Sequence, residues 1–253
     1  MTRARPAAAP GPGYGAGVAK LRIDIWSDIA CPWCYVGKRR LEQALARFAH
    51  AGEVEVVWRA FELDPAAPRV RDTRQSYAER LAGKYGTTPV QAQAMIDRMV
   101  DTAAVDGLAL RFDVIRPGNT FDAHRLLHLA HDRGVQDALK ERFLRAYLTE
   151  GQALGEPEVL APLAREVGLD DREVADLLAG DRHAAEVRQD EALARELGIS
   201  GVPFFVLAGR LGVSGAQPVD VLLAALDRAW REFAAPEIVP IVEGAVCGPD
   251  GCD

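Results

Sequence analysis

Between Leu21 and Ile25 apolar residues alternate with polar ones. Leu21, Ile23 and Ile25 are separated by Arg22 and Asp24, the period of a half-buried strand over about Lys20 to Trp26. From Val36 the period changes: Leu41, Leu45 and Phe48 recur at three- and four-residue spacing among Lys38, Arg39, Arg40 and Glu42, which predicts a helix to about Phe48. Ala51-Gly52-Glu53 turns the chain, and Val54 to Phe61, with β-branched Val54, Val56 and Val57, reads as a second strand. A strand–helix–strand unit of this length implies a parallel pair joined by a right-handed crossover.

From about Leu63 to Gly198 the pattern is helical. The expected helices are Ser76 to Tyr85, Pro89 to Gly107, Thr120 to Arg133, Val135 to Glu150, Pro157 to Val167, Asp170 to Leu178 and Arg182 to Leu197, with Gly107, Gly134 and Gly151 as stops. Strand patterning returns at Pro203 to Leu207 and Arg210 to Val213, joined by Ala208-Gly209 as a tight hairpin. Gln217-Pro218 opens a last helix, Val219 to Phe233, with Pro218 suited to the first turn. The economical organisation is one α/β domain, residues 19–62 and 199–233, with an all-helical domain, residues 63–198, inserted into it. Residues 1–18, rich in Ala, Pro and Gly, read as a disordered tail, and residues 234–253 as a C-terminal tail.

Charge and composition narrow the function. A net charge of −7 with no basic block argues against nucleic acid as a partner. No apolar run approaches the roughly 18 residues that would mark a membrane span. Arg3 and Arg5 resemble the start of a secretory signal, but Pro6, Pro10, Pro12 and four glycines interrupt any apolar stretch, so a cytoplasmic protein is expected. The four cysteines fall into two close pairs, which points to redox or metal chemistry rather than a disulfide scaffold. The oligomeric state is not readable from the chain.

The first pair, in Cys31-Pro32-Trp33-Cys34, lies where the first strand runs into the first helix. Pro32 fits the opening turn, where its missing N–H costs nothing. Unpaired N–H groups and the positive end of the helix dipole stabilise a thiolate there, lowering a cysteine pKa to roughly 3.5–7.5. Cys31 is therefore the expected nucleophile and Cys34, one turn on, the resolving thiol. A zinc site completed by Cys247 and Cys252 is the competing chemistry, but zinc knuckles sit in short hairpins and this pair opens an amphipathic helix, so no metal is expected. A permanent disulfide does not suit a reducing compartment.

Five stretches, IDIWSDIACPWCYVGKRRLE, WRAFELDP, NTFDAHRLLHLA, GISGVPFFVL and GAQP, span Ile23 to Pro218. Together they resemble the thioredoxin-fold proteins of the DsbA-like oxidoreductase group, most closely its FrnE-type branch. The resemblance implies a thioredoxin fold with an inserted helical domain, and a thiol–disulfide oxidoreductase or isomerase whose catalytic pair is Cys31 and Cys34. It implies that Val202-Pro203 is the cis-proline step beside the thiols. A proline has no N–H, so a bound peptide could pair with the Val202 backbone. The expected partners are protein or small-molecule thiols and disulfides, with no cofactor beyond glutathione as a co-substrate.

Other residues are candidates for supporting roles. Asp24 and Asp28 precede the thiols and could accept a proton from the resolving thiol. Trp33, between the cysteines, offers an apolar contact for clients. His124 and His128 stand one helical turn apart, with His131 near; a packed or surface row is favoured over a metal site. The resemblance sets Asn119 and His124 near the cleft, as substrate contacts. Cys247 and Cys252 flank a Pro-Asp-Gly turn and form a possible second redox pair. Two rival functions remain. One is a glutathione-dependent isomerase or transferase of the 2-hydroxychromene-2-carboxylate isomerase or kappa type, which has a serine or no second cysteine at the active helix. The other is a redox-inactive peptide-binding chaperone.

Overall fold

A computed structural model describes residues 20–69, 74–234, 247–248 and 251–252. The alternating segment is strand β1 (Leu21–Ser27), followed by helix α1 (Pro32–Arg47), a 3₁₀ turn at Ala51–Glu53 and strand β2 (Val54–Ala60). Helices α2 (Tyr77–Tyr85), α3 (Pro89–Val105), α4 (Phe121–Asp132), α5 (Gln136–Leu148), α6 (Pro157–Glu166), α7 (Asp171–Ala179) and α8 (Ala184–Glu196) follow. The chain then returns as β3 (Phe204–Leu207), β4 (Leu211–Ser214) and α9 (Val219–Phe233). The four strands form one sheet in the order β2-β1-β3-β4. β1 and β2 are parallel, whereas β3 is antiparallel to both β1 and β4. This mixed sheet with flanking helices is the thioredoxin fold.

Local chemistry sets the element boundaries. Ser76 and Thr88 each cap their helix through a reciprocal capping box, with Glu79 and Gln91. Between β3 and β4 the Arg210 N–H donates to the Leu207 carbonyl at 3.1 Å, with φ of 52° at Ala208 and 66° at Gly209. Both central residues are left-handed, as the twist of a two-residue hairpin requires.

Two apolar cores form on the two sides of α1. On one side Leu41, Ala44 and Phe48 pack with Leu21, Ile23 and Ile25 of β1, with Phe205, and with Leu222 and Leu226 of α9. On the other, Tyr35 and Val36, with Ile29 of the preceding loop, pack into the core of the helices, among Leu126, Phe143 and Leu144. α1 is thus fixed from both sides, and so are the cysteines at its start.

The helices also cover the open edge of β2. Gln136, at the start of α5, accepts the Trp58 N–H and donates to the Trp58 carbonyl, both at 2.9 Å. Asp190 of α8 accepts the Ala60 N–H at 2.9 Å. Side chains thereby occupy backbone groups that an edge strand would otherwise offer to another chain.

Beyond α9, Cys247–Gly248 and Gly251–Cys252 form a two-stranded antiparallel ladder, β5 and β6, in which Cys247 pairs with Cys252 by backbone register. The side chains of this second pair, and any approach to Cys31 and Cys34, lie outside the described residues. So does the tail of residues 1–18.

Candidate active site

Cys31 is the N-cap of α1, in extended conformation (φ −95°, ψ 113°), and Pro32 is the first helical residue. The Cys34 N–H donates to the Cys31 carbonyl at 3.0 Å, so the two thiols sit across one turn. Both are free thiols; Cys31 retains 5% of its surface and Cys34 none. Cys31 is therefore the sulfur an incoming partner can reach.

The loop before β3 closes the other wall. The Val202–Pro203 peptide bond is cis, and Cys31 Sγ lies 3.6 Å from the Val202 carbonyl oxygen. Gly37 of α1 makes this approach possible. A Cβ there would meet Pro203 Cγ at 2.9 Å and Phe205 Cζ at 3.4 Å. Trp33 projects outward, 43% exposed, and Leu63, whose N–H is held by Asp28, is 40% exposed. Burial, with a lesser contribution from the neighbouring Cys31, raises the hydroxyl of Tyr77 on α2 to about 12.

Asp28 lies directly beneath the thiols. Its carboxylate accepts the N–H of Ala30 at 3.2 Å and of Leu63 at 2.8 Å, and its own carbonyl accepts the Cys31 N–H at 3.3 Å. His124 Nε2 stands 3.5 Å from its Oδ1. Burial alone would raise this carboxyl; the His124 imidazole and the two backbone N–H groups outweigh it and hold it below the ordinary carboxylate range. Asp28 therefore remains ionised, which suits a residue that fixes the loop more than one that collects a proton. Asp24 is occupied elsewhere, bonded by Arg22 and by Arg59 Nε at 2.8 Å. None of these interactions of Asp24 among the described residues joins it to a thiol. The alternation that sends Ile23 and Ile25 into the core points Asp24 away from it.

Asn119 and His124 are structural partners of the cleft loops. Asn119 accepts the Phe121 N–H at 2.9 Å and donates to Glu62 at 3.3 Å. Glu62, whose side chain is fully buried, takes Arg188 at 2.6 Å; burial nonetheless raises its carboxyl. The histidine row is divided. His124 faces Asp28, whereas His128 pairs with Asp190 at 3.0 Å and, with His131 and His183, lines a separate cavity of about 400 Å³. Among the described residues no group of three or more His, Cys, Asp or Glu is arranged to hold a metal ion.

The two thiols are shifted in opposite directions. Each sulfur affects how the other titrates. For Cys34, burial raises the thiol. The bond from Cys31, the charge of Lys140, the Ser27 hydroxyl and the Asp28 backbone together overcome burial and lower it. Cys31 is pushed well above its ordinary range by the bond it gives Cys34, by burial and by the adjacent charge. Burial and the other cysteine of the motif are the leading influences on each sulfur.

Lys140 and Ser27 are the residues sequence reasoning missed. Lys140, on α5, is fully buried, donates to the Ser27 carbonyl at 3.2 Å and lies 5.4 Å over the Trp58 ring. One signal marked it: it falls on the apolar face of α5 with Phe143, Leu144 and Tyr147, a charge where helical periodicity calls for a hydrophobe.

A vicinal dithiol opening a helix, faced by a cis-proline loop on a four-stranded mixed sheet, defines a thioredoxin-fold protein with a redox-type site. Residues 22–227 match the family model of the DSBA-like thioredoxin domain, and the chain belongs to that family. It is similar to a probable DsbA oxidoreductase from Streptomyces coelicolor, with 47% identity, a TM-score of 0.80, and coverage of 92% of this chain and 98% of that one. It is 28% identical over 208 residues to the uncharacterized protein YwbO of Bacillus subtilis, covering 81% of this chain and 96% of that one. The cytosolic disulfide reductase DsbM from Pseudomonas aeruginosa, solved with GSH, shares the fold at 21% identity and a TM-score of 0.56, over 83% of this chain and 100% of that one.

Proposed function

We propose that this chain is a thiol–disulfide oxidoreductase that uses Cys31 as the attacking sulfur and Cys34 as the resolving one. The observation that carries the reading is the pair of free, buried thiols at the N-terminus of α1, with only Cys31 reachable and its sulfur 3.6 Å from the Val202 carbonyl. As Cys31 attacks a partner disulfide, its proton passes to a local base, for which the neighbouring Cys34 sulfur is the candidate within the motif. One partner sulfur leaves as a thiolate and the other stays bonded to Cys31. Cys34 then displaces it, leaving a Cys31–Cys34 disulfide and a reduced partner. In reverse, the same steps oxidise a dithiol.

The partners in this reading are protein thiols and disulfides, with Trp33 and Leu63 as apolar contacts and the Val202 backbone as a strand-like pairing edge. Glutathione is the small-molecule co-substrate. Disulfide isomerisation is the same chemistry with the second displacement delayed. An acidic chain with sparse, paired cysteines fits the cytoplasm.

Turnover of wild type, Cys31→Ser and Cys34→Ser is to be measured side by side in a dithiol–disulfide assay and a glutathione-conjugation assay. Wild type should exchange disulfides, Cys31→Ser should be inactive, and Cys34→Ser should accumulate partners covalently held on Cys31. Conjugation that survives Cys34→Ser, without disulfide exchange by wild type, would instead support the isomerase or transferase chemistry. Client binding that survives Cys31→Ser, with no exchange by wild type, would support a chaperone.

A further inference from the structure

We propose that residues 62–69 form a fixed strap that gives the thiol cleft its choice of client: Gly118 and Gly155 clamp the far end of the strap, Asp28 holds the near end, and Leu63 is thereby set to receive an apolar residue flanking the cysteine of a peptide client. The inference rests on the oxidoreductase reading above and names the substrate class within it.

The near end lies at the cysteine loop. The Leu63 N–H donates to Asp28 Oδ2 at 2.8 Å, and the Asp28 carbonyl accepts the Cys31 N–H at 3.3 Å. Two hydrogen bonds through one residue thus join the backbone of Leu63 to that of the attacking cysteine. Glu62, just before it, is buried and accepts from Asn119 Nδ2 at 3.3 Å and from Arg188 at 2.6 Å. Leu63 is the one large apolar side chain in the stretch ELDPAAPR, and it stays exposed.

The far end sits in a slot shaped for backbone. A Cβ on Gly118 or on Gly155 would run into the Arg69 carbonyl oxygen, so this approach needs glycine at both positions. The Asn119 N–H donates to the Pro68 carbonyl at 3.0 Å, and the Arg69 side chain bonds Asp122 at 2.8 Å. Asp122 is itself held by the buried Arg125 at 2.8 Å. Between the two ends the Ala67 N–H closes a turn on the Asp64 carbonyl at 3.0 Å, and Pro65 and Pro68 restrict the backbone further.

The fasteners are polar, and they leave the apolar side chain outward. A surface ordered before its partner arrives loses little entropy on binding. Cys31, the sulfur that can be reached, fixes where a client cysteine must lie. The next residue of that client stands about 3.8 Å along its chain. That step is comparable with the two hydrogen bonds that separate Leu63 from Cys31. A peptide has such a residue to place on the strap, whereas a small disulfide has none. Leu63 is the contact in this arrangement, and Gly118 and Gly155 are positioning residues that act through it.

The test measures binding first, so that it needs no turnover. Fluorescent peptides with serine in place of the client cysteine, flanked by leucine or by glycine, are titrated with the protein and followed by anisotropy. Wild type should bind the leucine peptide more tightly. Leu63 has 40% of its surface left to bury, so Leu63→Ala should cut that preference about three- to eightfold. Gly155→Ala should cut it in the same direction, and should add nothing in a Leu63→Ala background, because it acts through Leu63. If Gly155→Ala does not fold, Arg69→Ala, which opens the exposed side of the same clamp, takes its place with the same expectation. Equal binding of the two peptides by wild type, no binding of either, or a preference unchanged by Leu63→Ala overturns the proposal. A loss from the clamp variant that persists in full without Leu63 overturns the positioning role. The same peptides with cysteine restored as a mixed disulfide are then offered for exchange, where the preference should appear in KM. Selective binding by a protein that exchanges neither peptide overturns only the oxidoreductase reading.

Discussion

Replacing Gly37 by alanine tests how closely α1 must approach the cis-proline loop. In a helix interior, alanine is favoured over glycine by about 1 kcal/mol. The added Cβ, however, would lie 2.9 Å from Pro203 Cγ and 3.4 Å from Phe205 Cζ. The proline ring is rigid, and Phe205 is 1% exposed in the core beneath the sheet, so neither can swing aside. Overpacking of this kind costs about 1–3 kcal/mol. The clash should therefore offset or exceed the gain, leaving Gly37→Ala up to about 2 kcal/mol less stable than wild type. It should also slow thiol exchange, because relief of the clash parts Cys31 from Val202. The control is Gly83→Ala in α2, where an added Cβ meets nothing within 4 Å and the helical gain of about 0.5–1 kcal/mol stands alone. Urea unfolding of both variants, with exchange rates measured alongside, gives the comparison. A Gly37→Ala protein stabilised like Gly83→Ala, with unchanged exchange, would refute the close approach.

Pro203→Thr should prolong the life of mixed disulfides on Cys31, measured as the release rate of a trapped peptide, because the residue beside the sulfur would gain an N–H and lose the ring that Gly37 packs against. Ala208 holds φ 52°, a left-handed conformation that costs an alanine about 1–2 kcal/mol, so Ala208→Asn should raise the unfolding midpoint by part of that amount. Asp190 is held below the ordinary carboxylate value of 3.8: burial raises it, but His128, the Ala60 N–H and Arg59 prevail. With its folded pKa the lower, the unfolded chain takes up the proton first on acidification. The stability Asp190 contributes is therefore present above about pH 4 and lost as the pH falls through its folded pKa. Stability curves of wild type and Asp190→Asn should converge below that range; a gap that stays constant from pH 6 to pH 3 would contradict the assignment.

Much of the fold was legible because it rests on short-range signals. The alternation at Leu21, Ile23 and Ile25 became β1, and helix α9 occupies Val219–Phe233 as the periodicity predicted. Most other ends moved by one to three residues, where capping geometry took over from hydrophobic spacing. Ser76 and Thr120, read as helical, stand outside their helices as N-caps. Less legible was how the helical segment meets the sheet. Gln136 and Asp190 look like ordinary polar helix residues, yet each satisfies backbone groups of β2, a pairing decided by tertiary approach.

The site divides along the same line. Cys31, Cys34 and Pro32 were legible because their chemistry belongs to a helix start, and a helix start is local. The charge distribution between the thiols was not. The helix N-terminus acts on Cys31 as its N-cap, and taken alone it assigns the lower pKa to that sulfur. Burial and the paired thiol act as well: they lead the influences on Cys34, and groups from outside the motif follow them. Burial at this site is a tertiary property, set by the helices that close over the start of α1, among them α5, whose Lys140 reaches the Ser27 carbonyl at 3.2 Å from far along the chain. A four-residue motif locates the sulfurs, and the packing around it sets how each of them titrates.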